Sequence, residues 1–166
     1  MGMISGACFC KAVQYKLLTE SQMQGLCYCT DCQVVGGSSH WASYAVAPSD
    51  FQLLQGTMVP YAYDPGSGRE VTRHFCGTCG TQIMVQSDEL GVASVNAMTF
   101  DDATQFTPQI AYFGNSAPGW CEVDKRLTAF GDVEWRFSSF IWRLLSGSHS
   151  CAQCWRRYCY PSRQAT

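Results

Sequence analysis

Seven cysteines crowd the first eighty residues, and they constrain the fold of this chain more than any other feature. They fall in three clusters: Cys8-Phe9-Cys10, Cys27-Tyr28-Cys29-Thr30-Asp31-Cys32 and Cys76-Gly77-Thr78-Cys79-Gly80. Pairs and triplets of thiols at such short spacing have two common uses, disulfides and metal binding, and the redox compartment decides between them. The opening Met1-Gly2-Met3-Ile4-Ser5 lacks the basic start and apolar stretch of a secretory signal. A cytoplasmic location is therefore expected, where thiols stay reduced and a metal is the better reading.

The last cluster is a zinc knuckle. Two cysteines three apart, followed by a glycine that accepts positive φ, make a tight turn whose backbone amides point at sulfur. One such pair is half of a tetrahedral site, so a second pair must come from elsewhere in the chain. Seven thiolates divide into four plus three. Cys27, Cys29 and Cys32 can wrap one ion alone; Cys8, Cys10, Cys76 and Cys79 then close a four-sulfur site that pins the N-terminal strand to the knuckle. The expected cofactors are two Zn2+: one in a closed structural site, one in a three-cysteine catalytic site with an open position. A competing reading keeps the second site structural, with His40, His74 or Cys121 as its fourth ligand.

Between the clusters the pattern is that of short strands. Residues 4–17 alternate as one strand, with Phe9, Val13 and Tyr15 on one face and Cys8 and Cys10 on the other. Residues 26–30 read as extended up to a turn at Thr30-Asp31, and Gly36-Gly37 breaks the chain before a strand over 40–47. Asp64-Pro65-Gly66-Ser67-Gly68 is a turn that joins Met58–Tyr63 to residues 69–75 as a hairpin, and strands follow over 81–85 and 91–96. The fold class is therefore mainly β. Two segments are expected: a zinc-binding domain over residues 1–136, and a C-terminal helix with a flexible Cys- and Arg-rich tail over 137–166. Phe137, Phe140, Ile141, Leu144 and Leu145 follow helical spacing. Cys151 and Cys154 repeat the knuckle spacing without the glycine, Cys159 stands apart, and Cys121 reads as a small buried hydrophobe.

Charge narrows the partners. A net charge of −2 with 14 % charged residues gives no basic stripe, so nucleic acid is not an expected partner. No apolar run approaches the length that spans a bilayer, so no membrane is expected either.

The stretches Ser5-Gly6-Ala7-Cys8-Phe9-Cys10-Lys11-Ala12-Val13-Gln14-Tyr15, Cys27-Tyr28-Cys29-Thr30-Asp31-Cys32 and Arg73-His74-Phe75-Cys76-Gly77-Thr78-Cys79-Gly80-Thr81 resemble the glutathione-dependent formaldehyde-activating family, which includes the centromere protein V domain. A later run, Pro108 through Tyr112 to Ala117-Pro118-Gly119-Trp120, looks like the same family's late segment. The resemblance covers residues 4–130. It implies an Mss4-like β-tent, a structural zinc held by four cysteines, a catalytic zinc held by three, and carbon–sulfur lyase chemistry on S-hydroxymethylglutathione. Tyr28 stands where the family often has His, and the segment beyond Phe137 has no counterpart in it.

A zinc held by three thiolates is a weak generator of hydroxide and suits soft or anionic leaving groups. The expected function is a zinc-dependent lyase on a small thiol–aldehyde adduct, glutathione-based or related. A zinc-dependent dehydratase on a small organic molecule without glutathione, a non-catalytic zinc-binding interaction module and a thiol-redox protein are the alternatives. Asp31, inside the metal loop, is the candidate base, or else it caps the loop. Tyr28, His40 and Trp41 are candidates for the pocket, and His74 reads as a structural histidine.

Overall fold

The computed structural model describes residues 3–21 and 23–131, which belong to one compact unit over residues 1–132. The helix expected from Phe137, Cys151, Cys154, Cys159 and the rest of the 137–166 segment lie outside the described residues.

Among the described residues the chain is mainly β. A three-stranded antiparallel sheet is built from β1 (Ile4–Ala7), β2 (Gln14–Leu17) and β5 (Phe51–Gln55). The other sheet has eight strands. They are β3 (Met23–Cys27), β4 (Trp41–Val46), β6 (Met58–Tyr63), β7 (Val71–Cys76), β8 (Gln82–Ser87), β9 (Val92–Asn96), β10 (Ile110–Tyr112) and β11 (Thr128–Phe130). Their order is β11-β10-β3-β4-β9-β8-β7-β6. Pairing is antiparallel except around β10, which runs parallel to both β3 and β11. The hairpin expected around Asp64 is present: Met58 faces Cys76 and Tyr63 faces Val71. At its turn the Asp64 carboxylate accepts hydrogen bonds from the amides of Gly66, Ser67 and Gly68.

The core lies between the inward faces of the sheets. Val13, Tyr15 and Leu17 from the β2 region meet Tyr44 and Val46 of β4, Ile83 and Met84 of β8, and Val95 of β9. Tyr15 is fully buried, stacks on Phe51 with ring centroids 4.9 Å apart, and satisfies its hydroxyl on Thr99 Oγ1 at 2.6 Å. A buried phenol is tolerated only when its polar tip has such a partner. Gly6 lets that ring approach, because a Cβ there would stand 2.5 Å from both Thr99 O and Tyr15 Oη.

Two local expectations are corrected. Residues 4–17 are not one strand but two, separated by a turn in which the Lys11 amide bonds Cys8 O at 2.9 Å and Lys11 takes φ +60°. The turn resets the alternation, so Val13 and Tyr15 are buried while Phe9 is 90 % exposed. Nor is the segment after Cys29 a mere turn. A helix, α1 (Thr30–Gly36), starts immediately after Cys29, whose sulfur caps it by accepting the Cys32 amide at 3.4 Å. Its Thr30 and Val34-Val35 are β-branched and hid its periodicity. The Gly36-Gly37 break is its C-terminus, with Gly37 in the left-handed conformation at φ +58°.

Candidate metal centres

The sequence clusters converge on two groups of sulfur. The Sγ atoms of Cys8, Cys10, Cys76 and Cys79 all lie within 4.8 Å of one another, and so do those of Cys27, Cys29 and Cys32. Cys8 and Cys10 are 3.6 Å apart and Cys10 and Cys76 are 3.8 Å apart. Those separations rule out S–S bonds, which need about 2.05 Å. They match the edge of about 3.8 Å expected between thiolates that share a tetrahedral ion at about 2.3 Å. The donor set, its spacing and its crowding therefore fit a metal at both places.

The quartet joins the two sheets. Cys8 and Cys10 sit in the turn between β1 and β2, and Cys76 and Cys79 in the turn between β7 and β8. The Val13 amide donates to Cys8 Sγ at 3.2 Å, the Phe9 amide to Thr81 Oγ1 at 3.2 Å, and Thr81 Oγ1 lies 3.1 Å from Cys79 Sγ. Bonds from the Thr81 hydroxyl and amide, then from the Cys10 amide, bring the Cys79 thiol down to about 5. The amides of Cys79 and Thr78 lower Cys76. Backbone donors thus favour thiolates at Cys76 and Cys79, the form a metal needs, whereas at Cys10 the lowering by the Ala12 amide is outweighed by the bond to Cys79 and the neighbouring thiols, which push it up to about 12.

The trio is assembled locally. Cys27 ends β3, Cys29 caps α1 and Cys32 lies in its first turn. Tyr112 of β10 and Trp41 of β4 flank Cys27 in the sheet register. Hydrogen bonds from Cys27 and Cys32 lower Cys29 to about 3, against burial and with help from the charge of Arg73. Cys27 is pushed up, because it donates to Cys29 and Cys32 and is desolvated. Cys32 accepts from Cys27, yet its bond to Cys29 and its burial push it up to about 12. Three sulfurs this close can all ionise only beside a compensating cation.

The other predicted residues surround the trio unevenly. Among the described residues neither His40, His74 nor Cys121 offers a ligand atom within 4.8 Å of the three sulfurs. Asp31 lies half-buried in the first turn of α1, one position from Cys32. The Tyr28 ring is buried and tilts against the His40 ring, centroids 5.2 Å apart. Burial raises the Tyr28 phenol, with smaller contributions from Cys121 and Asp124. His40 bonds Ser39 Oγ through Nδ1 at 2.8 Å, and burial lowers its pKa. His40 and Trp41 line a cleft of about 240 Å3 with Gly36, Ser38, Asn96 and Met98. Its walls are the end of α1 and the start of β4, the segments that flank the trio. Trp41 is held there by its indole N–H on Ser94 Oγ at 3.0 Å. His74 is half-buried on β7, and Cys121 is half-buried rather than fully buried.

Sequence reasoning missed Arg73. Arg73 on β7 is only 4 % exposed and bonds Tyr63 Oη through Nε at 3.1 Å, and its charge acts to lower Cys29 and Cys32. Its one available signal was a cation in the middle of the alternating run Val71-Thr72-Arg73-His74-Phe75-Cys76. Gln33 was missed as well; its amide nitrogen donates to Tyr28 O at 2.6 Å and Ser116 O at 2.8 Å, tying the trio loop to residues 114–116.

No curated protein is significantly similar to the chain. A crystal structure of a Rhodobacter sphaeroides protein aligns with 58 % of this chain and 87 % of its own, at 22 % identity and a TM-score of 0.47. Residues 3–116 match the family described as glutathione-dependent formaldehyde-activating enzyme. That match spans both cysteine groups, and with it the chain belongs to the glutathione-dependent formaldehyde-activating family.

Proposed function

We propose that the protein is a zinc-dependent carbon–sulfur lyase that forms or cleaves a small thiol–aldehyde adduct such as S-hydroxymethylglutathione. One observation carries the reading: three sulfurs within 4.8 Å of one another are joined by no fourth His, Cys, Asp or Glu ligand among the described residues. Closed structural sites use four protein ligands, whereas three leave a place for a reactant. The quartet is then the structural zinc site and the trio the catalytic one. When bound there, zinc supplies a soft electrophilic centre suited to a sulfur leaving group.

The chain's own residues do the rest. In cleavage, Asp31 takes the proton of the adduct hydroxyl, the C–O bond becomes C=O and the C–S bond breaks. The thiolate that leaves recovers a proton, giving free thiol and aldehyde; the reverse order makes the adduct. Tyr28 and His40, packed ring against ring, shape the wall beside the reacting carbon, and His40 stays neutral at physiological pH because burial lowers its pKa. The cleft beside Trp41 holds the remainder of a small substrate.

Zinc per chain, measured on the wild type and on Cys32→Ser, tests this. The wild type should carry about two ions and the folded variant about one, with turnover of S-hydroxymethylglutathione lost in the variant. A variant that unfolds would make the trio structural. A wild type holding about one ion would remove the catalytic centre altogether.

A further inference from the structure

The residue between Cys27 and Cys29 is gripped on both sides. The Tyr28 amide donates to Tyr112 O at 2.9 Å, and Tyr28 O accepts from Gln33 Nε2 at 2.6 Å. The same nitrogen donates to Ser116 O at 2.8 Å. A carboxamide nitrogen carries two hydrogens, and both partners here are carbonyl oxygens, which only accept. The Gln33 donors are therefore fully used and the orientation of its amide is fixed. Its backbone is engaged as well: the amide donates to Cys29 O at 3.0 Å, and the carbonyl accepts from the Gly37 and Ser38 amides. One residue thus joins three segments: the loop that carries Cys27 and Cys29, the helix that carries Cys32, and residues 112–116. The third segment bends to take part. Phe113 adopts the left-handed conformation at φ +54°, and among the described residues Lys11 is the only other non-glycine to do so. That conformation is unfavourable for a residue with a Cβ and persists where surrounding contacts impose it. Here it turns the chain from β10, where Tyr112 faces Cys27, into residues 114–116, whose Ser116 carbonyl meets Gln33.

We propose that Gln33 is the positioning residue of the trio, a carboxamide clamp that fixes the Tyr28 backbone, and through it the placing of Cys27 and Cys29, in the arrangement that receives the metal. It acts through the loop and touches neither ion nor reactant. The inference rests on the trio holding a metal, as in the function proposed above, and deepens that reading without needing the reaction itself. Ligands already in place bind an ion without reordering the loop, so the clamp raises affinity while adding no ligand.

The test uses the zinc-loaded full chain. Zinc released to a chromogenic chelator should leave in two phases, the trio's being the one that Cys32→Ser removes. Gln33→Met keeps the length and loses both donors; Gln33→Glu keeps the shape and turns a carboxylate toward two carbonyl oxygens. Each should speed the trio phase by about tenfold or more and leave the quartet phase within about twofold. Cadmium NMR, with Cd2+ in both sulfur groups, adds a signature that a general loss of stability would not give. The trio resonance, identified by its absence in Cys32→Ser, should move or broaden while the quartet resonance stays. An unchanged trio phase and resonance in both variants would overturn the proposal. So would parallel acceleration of both phases, since Gln33 would then merely support the fold. The lyase reading fails separately: a wild type that holds two ions and turns over no adduct discards the reaction, while selective loss of the trio ion from the Gln33 variants keeps the clamp.

Discussion

Gly6 shows how one missing side chain lets the core close tightly beside the sulfur quartet. It sits two residues before Cys8 on β1, and the space its Cβ would fill is taken by Thr99 O and the Tyr15 hydroxyl, each 2.5 Å away. One of these is backbone and the other belongs to a fully buried ring bonded to Thr99. Neither can retreat cheaply, so Gly6→Ala should destabilise the protein by about 1–3 kcal/mol in urea unfolding. Binding of zinc at the trio, which lies on the other sheet, should stay unchanged. At this scale the two sulfur groups were legible, because seven thiols at those spacings admit few partitions into tetrahedral sites. Arg73 was not. It stands 41 positions after Cys32 in the chain, and only the fold brings its charge to bear on sulfur.

At the scale of elements, the trio depends on a helix of seven residues, too short to be stable alone. It is held at its ends: the Cys29 sulfur caps the first turn, and Gly37 closes the last with its amide on Gln33 O. Nothing lies within 4 Å of a Cβ at Gly37, so a substitution there is felt only through φ +58°. Gly37→Ala should therefore cost about 1 kcal/mol of stability, read by thermal melting. It should also weaken zinc at the trio in competition with a chromogenic chelator, while the quartet keeps its affinity. The sequence disclosed most strands through alternation and turn residues, and the hairpin at Asp64 was anticipated, its second strand starting two residues later than expected. It concealed α1, because β-branched residues and a cysteine cap carry no familiar helix signature. It also merged β1 with β2, because alternation continues smoothly across a turn that in fact reverses the chain.

At the scale of the whole described unit, Arg73 on β7 and Cys27 at the end of β3 are four strands apart in the sheet order, yet the Arg73 charge acts on Cys29 and Cys32, a long-range relation that no reading of local pattern could have anticipated. Among the described residues no helix is long and apolar enough to cross a membrane. The quartet brings a turn of the small sheet against a turn of the large one, so a metal bound there would help hold the core closed as well as its own ligands.

The two sulfur groups differ in how far their members are separated along the chain, and that difference sets a timetable during synthesis. The trio spans five positions, so its ligands meet at little cost in chain entropy; the quartet waits for partners such as Cys10 and Cys76, 66 residues apart. With zinc bound at both groups, as proposed above, a growing chain would load the first ion soon after Cys32 leaves the ribosome, whereas the second would have no complete cage until Cys79 emerges. Chains stalled with residue 70 just outside the ribosome should retain zinc that Cys32→Ser removes and Cys8→Ser does not. Zinc lost equally in both variants would reverse that order. On that order, loading of the second ion would coincide with closure of the core, and the first ion's arrival would be an early step of biogenesis and the second's its completion.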